Sequence, residues 1–355
     1  MKNEEKQLFR SLCSFKSEFF DEKLLEFATP TVLGHLFFNR MGAVAYGTLQ
    51  KHGLLGRVNR EFRSSLQGVY EQNIERNKSF FTCVRYVFDI LLGCDCKYAM
   101  LKGAYLCGHY PIGYRTSNDI DLLIMPEHVT EVGNVLVAEG FKQGNIRNGE
   151  FIPATRKEII ESKMMRGETV PYIKQMDLPY MKYLEVDVNF SLDYKNSDIE
   201  SMKVMLDRVI ETEVNGISVQ TLDSYDFFVH LCSHLYKEAT TLPWIEMMRD
   251  MTLYKYCDIY MIIDTMSEAD MLGMFARAQE LGMGKICAFS ILQTAELFDL
   301  QNQFCVDVAK TILREDPCFI YKVTSPKNKK TFVYRETSAL ERLFSDNRKG
   351  LLKEK

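Results

Sequence analysis

The sequence predicts an α+β protein, a small mixed-sheet core set between N-terminal and C-terminal helical segments. Three observations lead there. Apolar residues recur at helical spacing through residues 4–93, and short apolar runs bounded by turn residues replace them up to about residue 222. Helical spacing then returns from Ser224 to about Arg314. At 355 residues the chain is long enough to bury a large core and to form two or three subdomains. The expected division is a helical segment over 1–95, an α/β core over 96–222, a helical domain over 223–315 and a peripheral tail over 316–355.

Taken in order, Leu8, Leu12, Phe15, Phe19 and Phe20 mark a first helix, and Leu24, Leu25 and Ala28 continue the spacing. Thr29-Pro30 supplies an N-cap and a proline at the first helical position. The helix it starts is expected to run to about Gln50 and stop at His52-Gly53. After Gly56 a long helix carries Phe62, Leu66, Val69, Ile74, Phe80, Val84, Val87 and Leu91 on one side, closing at Gly93-Cys-Asp-Cys. Tyr98–Leu101 and Ile120–Ile124 read as short apolar strands. Val129–Glu139 reads as a helix ended by Gly140, and residues 154–166 as another. Thr169–Met176 and Lys182–Phe190 alternate as strands across the turn-like Met176-Asp-Leu-Pro-Tyr, which predicts an antiparallel hairpin. Ile217–Leu222 predicts one more strand. Gly282-Met-Gly284-Lys285 breaks the helical suffix; it is too short for a phosphate loop and has no strand before it. The tail after Asp316-Pro317 is expected to be irregular, with a peripheral helix.

Composition narrows the function classes. Apolar residues at 46% and charged residues at 26% describe an ordinary globular protein. A net charge of −4 lacks the basic surplus of nucleic-acid binders, so a nucleic-acid partner is not expected. The ten cysteines are scattered, without Cys-x-x-Cys or finger spacing, and fit a reducing cytoplasm. Cys94-Asp-Cys96 is too closely spaced for an ordinary zinc clip and reads as two small half-buried residues. The start of the chain has acidic residues and no apolar stretch of the signal-peptide kind. No run approaches the length of a membrane span, so no membrane partner is expected.

The chemistry concentrates in Asn118-Asp119-Ile120-Asp121-Leu-Leu-Ile124. Residues two apart on a strand share a face, so Asp119 and Asp121 project together while Ile120, Leu122 and Ile124 take the opposite face. Two adjacent carboxylates repel unless a cation lies between them, and a divalent metal is the usual one. A third acid stands in Leu184-Glu-Val-Asp-Val-Asn-Phe190, where Glu185, Asp187 and Asn189 share a face. An acid centred in a β-branched strand breaks the local pattern, as functional sites do. If this strand pairs beside Ile120–Ile124, Asp187 joins the other two around one or two Mg²⁺ ions, with Mn²⁺ as a substitute. Glu185 is the alternative third ligand. Asp119 and Asp121 would hold the ion on a triphosphate, and Asp187 would orient or deprotonate an acceptor hydroxyl. The turn at Lys102-Gly103-Ala104 would bring backbone N–H groups to the β/γ-phosphates. Lys102 either neutralises the triphosphate or is a surface lysine. Arg115 either reaches a phosphate or pairs with a nearby acid. Ser117 and Asn118 either touch the sugar and a metal-bound water or shape the turn.

These residues, Leu101-Lys-Gly, Tyr110-Pro, Arg115, Asp119-Ile-Asp121 and Val186-Asp-Val-Asn-Phe190, resemble the polymerase-β-like nucleotidyltransferase superfamily. They are similar in particular to its branch of uncharacterised bacterial nucleotidyltransferases, over roughly residues 5–270. The resemblance implies a Mg-dependent enzyme that moves a nucleoside monophosphate from an NTP, with ATP the expected donor, to a hydroxyl, with release of pyrophosphate. The acceptor would be a small molecule or a protein side chain. Asp119, Asp121 and Asp187 would be catalytic and metal-binding. Lys102, Gly103, Ala104, Arg115, Ser117 and Asn118 would bind nucleotide. Ala104 stands where most members have Gly or Ser, and Asn189-Phe190 where this branch often has His and Trp. A nucleotide-binding regulatory module with little turnover is the alternative.

Outside this stretch the signals are weaker. His230 and His234 share a helix face four residues apart, without His-Glu-x-x-His, and read as core packing with one histidine near a cleft. Asp250 either approaches the site or lies on a helix surface.

Overall fold

The computed structural model describes residues 1–192, 199–335 and 337–355. The chain divides into two compact units, one made of Met1–Tyr70 with Phe228–Lys355 and the other of Glu71–Phe227. The helices of the first stretch are α1 (Asn3–Cys13), α2 (Pro30–Phe38), α3 (Gly42–Lys51) and α4 (Arg60–Leu91), which runs across the boundary at Tyr70. Thr29 caps α2 as expected, its hydroxyl accepting from Val32 N–H ahead of Pro30. The single helix expected to reach Gln50 is two, because the chain turns at Asn39-Arg40-Met41. Arg40 takes a left-handed φ of 59°, and Met41 N–H reaches back to Leu36 C=O at 2.7 Å. Glycine usually fills that position, so an arginine there hides the stop.

The Glu71–Phe227 unit holds a mixed sheet. Along the chain come β1 (Tyr98–Met100), α5 (Gly103–Leu106), β2 (Asp119–Ile124), α6 (Val129–Ala138), β3 (Lys142–Arg147), β4 (Glu150–Pro153) and α7 (Arg156–Arg166). Then follow β5 (Tyr172–Leu178), β6 (Met181–Asn189), α8 (Ile199–Leu206), β7 (Ile210–Val214) and β8 (Ile217–Thr221). The strand order is β1-β2-β6-β5-β3-β4, with β7 and β8 paired separately. The expected hairpin is β5 and β6, antiparallel, but its turn sits at Pro179-Tyr180 rather than starting at Met176. A register shift between Gln175 and Leu178, with Asp177 and Tyr180 at positive φ, carries β5 past that point. The core packs Phe80, Val84, Val87 and Leu91 of α4 against Ile120, Leu122 and Ile124 of β2, Val186 and Val188 of β6, and Val132 and Leu136 of α6. Burying a side chain of this size stabilises by roughly 1.5–3 kcal/mol.

In the other unit the suffix forms α9 (Ser224–Ala239, begun before the boundary), α10 (Leu242–Glu246), α11 (Leu253–Ile263), α12 (Glu268–Glu280), α13 (Gly284–Leu297) and α14 (Gln303–Ile312). Gly282 ends α12 at φ +67°, as the sequence break suggests. Aromatic contacts join the prefix to the later part of this unit: Phe9 meets the half-buried Phe344 of the tail edge-on at 5.2 Å, and Phe15 meets Tyr260 of α11 at 5.6 Å. The tail is more ordered than expected. Beside the short α15 (Ala339–Leu343), it folds β9 (Lys322–Thr324), β10 (Thr331–Tyr334) and β11 (Leu352–Glu354) into an antiparallel sheet. Among the described residues, no helix is long and apolar enough to cross a membrane.

Candidate active site

The site grows from three neighbouring strands. β2 lies antiparallel to β1, with Met100 opposite Leu122, and parallel to β6. The parallel register sets Asp119 against Glu185, Asp121 against Asp187 and Leu123 against Asn189. Partners in register point to the same face, about 4.8 Å apart between backbones. Because Ile120, Leu122, Val186 and Val188 fill the core face, all four acids are forced onto the opposite one. The pairing that the sequence left conditional is therefore present.

A strained turn brings a cation to these acids. Lys102 follows β1 with φ +45° and ψ −111°, a conformation that L side chains rarely adopt. Its ammonium donates to Asp121 Oδ1 at 2.8 Å, with Lys102 about one-fifth exposed and Asp121 buried. Strain of this kind costs about 1–3 kcal/mol and persists where the surrounding structure over-determines it. Gly103, next in the chain, is required for space: a Cβ there would lie 2.5 Å from both Cβ and Oγ of Ser117. That approach lets Ser117 donate its hydroxyl to Asp119 Oδ1 at 2.7 Å.

Electrostatics separate the acids. Burial raises Asp119, but the Ser117 hydrogen bond and the charges of Lys102 and Arg115 outweigh it and hold its carboxyl below the usual range. Burial pushes Asp187 well up, and Asp121 and Asp119 push it further, against the weaker pull of Lys102. Glu185 is raised by burial and by Asp119. Asp187 is thus the most basic carboxylate facing the pair on β2.

The loop between α5 and β2 carries the remaining candidates. Arg115 is buried, its guanidinium donating to Thr116 C=O. Asn118 accepts from Arg76 of α4, and Asn73 of the same helix donates to Gly113 C=O at 2.9 Å. Arg76 and Asn73 thus tie this loop down, a role no short motif announces. Ala104 is fully buried among core residues, and its N–H is engaged by Leu101 C=O at 3.3 Å. The segment after α7 closes the other side. Glu168 bridges to Asn189, Thr169 N–H reaches Val188 C=O, and the Glu168 charge acts on Asp187. Nothing in the sequence pattern marks Glu168, because it forms an isolated bridge between α7 and β5 rather than part of a strand. Asn189 is buried and donates to Asp187 C=O at 3.3 Å.

His230, His234 and Asp250 belong to the other unit. His230 is buried in α9. His234 faces Glu238 at 3.3 Å, and Glu238 also pairs with Lys255. Asp250 is no surface acid: it forms a fully buried ion pair with Arg348 at 2.8 Å.

The acids on β2 and β6 fit a hard divalent ion by chemistry, since every donor is a carboxylate oxygen and the register sets Asp121 directly against Asp187. Among the described residues they are not drawn into a tight triangle. The three metal-capable side chains whose ligand atoms all lie within 4.8 Å of one another are Cys94, Cys96 and Glu131.

No curated protein matches the sequence. Among solved structures the chain is similar to an antigenic nucleotidyltransferase-like protein from Paracoccidioides brasiliensis, at 16% identity and a TM-score of 0.34, over 67% of this chain and 88% of that one. Residues 30–299 match the profile of a family described as uncharacterised nucleotidyltransferases, and with most of its length accounted for in this way, the chain belongs to that family.

Proposed function

We propose that the protein is an enzyme that moves a nucleoside monophosphate from an NTP, ATP being the expected donor, to a hydroxyl on a small molecule or a protein. The observation that carries this reading is the register of β2 against β6, with Lys102 bonded to Asp121 at the meeting point. In the transfer, the acceptor oxygen bonds to the α-phosphorus while the bond from that phosphorus to the bridging oxygen breaks, and pyrophosphate leaves. Asp187, set against Asp121 by the β2–β6 register, takes the acceptor's proton. Asp119, Asp121 and Asp187 would hold Mg²⁺, or Mn²⁺ in its place, which when bound offsets the charge gathering on the phosphates. Lys102 adds a point charge for the triphosphate. Ser117 keeps Asp119 oriented, and Arg76 does the same for Asn118. Glu168, bridged to Asn189, adds its charge beside Asp187.

The test is incubation of the protein with each labelled NTP, Mg²⁺ or Mn²⁺ and a cell extract, read by mass spectrometry. A nucleotide-sized mass gain on an acceptor, lost in Asp119→Asn and Asp121→Asn, supports transfer. A second reading, a nucleotide-binding module with little turnover, is favoured by the burial of Ala104, which offers the donor neither a hydroxyl nor a free N–H. NTP binding by calorimetry, with no covalent product from any NTP and with binding unchanged in Asp187→Asn, would select it.

A further inference from the structure

We propose that Cys94, Cys96 and Glu131 form a zinc site that fastens the far end of the β1–β2 pair. Cys-x-Cys spacing alone supplies only two sulfurs. The fold adds a third ligand from elsewhere, because Glu131 lies in the first turn of α6, directly after β2. The two sulfurs and a Glu131 oxygen all lie within 4.8 Å of one another. Tetrahedral zinc, at about 2.3 Å to sulfur and 2.0 Å to oxygen, needs its ligand atoms roughly 3.5–3.8 Å apart. From that outer limit a contraction of about 1 Å, within reach of side-chain rotation, brings the three ligands to zinc distance, with water in the fourth position.

Two further observations point to a ligand here. Glu131 is already oriented: Oε1 accepts from Asp95 N–H at 2.9 Å, and Oε2 faces His128 Nδ1 at 3.2 Å. A carboxylate held by a histidine and a backbone N–H is the outer support that metal ligands commonly have. Tyr98, at 3% exposure, has a buried hydroxyl with no hydrogen-bond partner, and it lies within electrostatic reach of both sulfurs. The donor set decides the metal. Two thiolates and one carboxylate suit zinc and do not suit Mg²⁺, which takes oxygen. Coordination forms two Zn–S bonds and releases both protons to solvent, so affinity rises with pH.

The site is separate from the aspartates. β1 runs from this loop at Tyr98 to the turn at Lys102, and β2 runs from Asp119 and Asp121 back to α6. Zinc would tie the end of α4, the start of β1 and the start of α6 together, at the end of the strands away from Lys102. The inference does not depend on the proposed transfer reaction.

The experiment uses the full chain, reduced and stripped of metal, titrated with Zn²⁺ against a chromogenic chelator and with Co²⁺ by absorption. One equivalent should bind, with a sulfur-to-cobalt charge-transfer band and a rise in the thermal midpoint. Cys94→Ser and Cys96→Ser should each weaken binding at least tenfold and diminish the band. Glu131→Gln should weaken binding while keeping the band, and His128→Ala should cost about 10–100-fold in affinity. Asp119→Asn should leave zinc stoichiometry unchanged. Circular dichroism of each metal-free variant, matched to the metal-free parent, excludes misfolding as the cause. Undiminished zinc affinity in the Cys94→Ser/Cys96→Ser double variant, binding lost only in Asp119→Asn, or no zinc uptake by the reduced parent would each overturn the proposal.

Discussion

Replacing Gly103 by alanine sets two known effects against each other, and the structure decides the sign. In an unobstructed helix start, glycine to alanine stabilises by about 0.5–1 kcal/mol, because the unfolded chain loses freedom. Here the new Cβ would sit 2.5 Å from both Cβ and Oγ of Ser117, roughly 1 Å inside ordinary contact. Rotating Ser117 does not help, since its Cβ is one of the two close atoms. The backbone must yield, and the 2.7 Å bond from Ser117 to Asp119 goes with it. Overpacking of this kind costs about 1–3 kcal/mol, and the lost hydrogen bond about 1 kcal/mol. Gly103→Ala should therefore be less stable by about 1–3 kcal/mol, read as a lower urea midpoint at unchanged slope. Gly103→Ala with Ser117→Gly removes both close atoms, so the double variant should recover the steric part and exceed Gly103→Ala in stability. A Gly103→Ala protein as stable as the parent, or more so, would refute the argument that Gly103 exists to admit Ser117.

Other expectations follow from single contacts. Lys102→Gly and Lys102→Ala both lose the ammonium, but only glycine relieves φ +45°; Lys102→Gly should be the more stable by about 1–2 kcal/mol in urea, against the usual glycine penalty. His234 and Lys255 outweigh the burial that would raise Glu238, and lower its carboxyl to about 2. A depressed folded value contributes stability that is present above the unfolded value of 4.5 and is lost as pH falls through about 2. Glu238→Gln should cost about 3 kcal/mol at neutral pH, and the two unfolding curves should converge across that acid window. Asp250→Ala leaves the Arg348 charge buried and should cost about 3–5 kcal/mol; Asp250→Ala with Arg348→Met should cost less, measured by denaturant midpoints.

What the sequence made legible and what it hid differ by range. Strands β2 and β6 were readable because each alternates acids against apolar residues that later fill the core, and alternation is a local signal. The pairing of Asp121 with Asp187 was readable only as a condition, since register depends on the partner strand. The β3–β4 hairpin gave no signal: Lys142–Arg147 is mostly polar and Glu150–Pro153 is largely exposed, so neither alternates. β9 and β11 are three residues each, too short for a pattern. Backbone strain at Lys102 and Arg40 was hidden because neither residue type advertises positive φ. The link from Arg76 to Asn118 spans 42 residues and that from Arg348 to Asp250 spans 98, and no periodicity reports such distances. The third ligand at Cys94 and Cys96 was invisible for the same reason.

The division of the chain has a bearing on how the protein is made. One unit is a continuous stretch, Glu71–Phe227, and is finished while it is still the newest part of the chain. The other waits. Phe9 of α1 needs Phe344, and Arg10 needs the carbonyl of Phe298, at 2.6 Å. At about 5–20 residues per second, the ribosome delivers these partners on the order of 15–70 s after α1. Over that interval Phe9 has His35 of α2 beside it, at 6.4 Å between ring centroids, but still lacks Phe344. The unit that carries the candidate site therefore has all of its residues available before the other unit does. A lesion near Phe344 is then felt at residue 9, more than three hundred positions upstream.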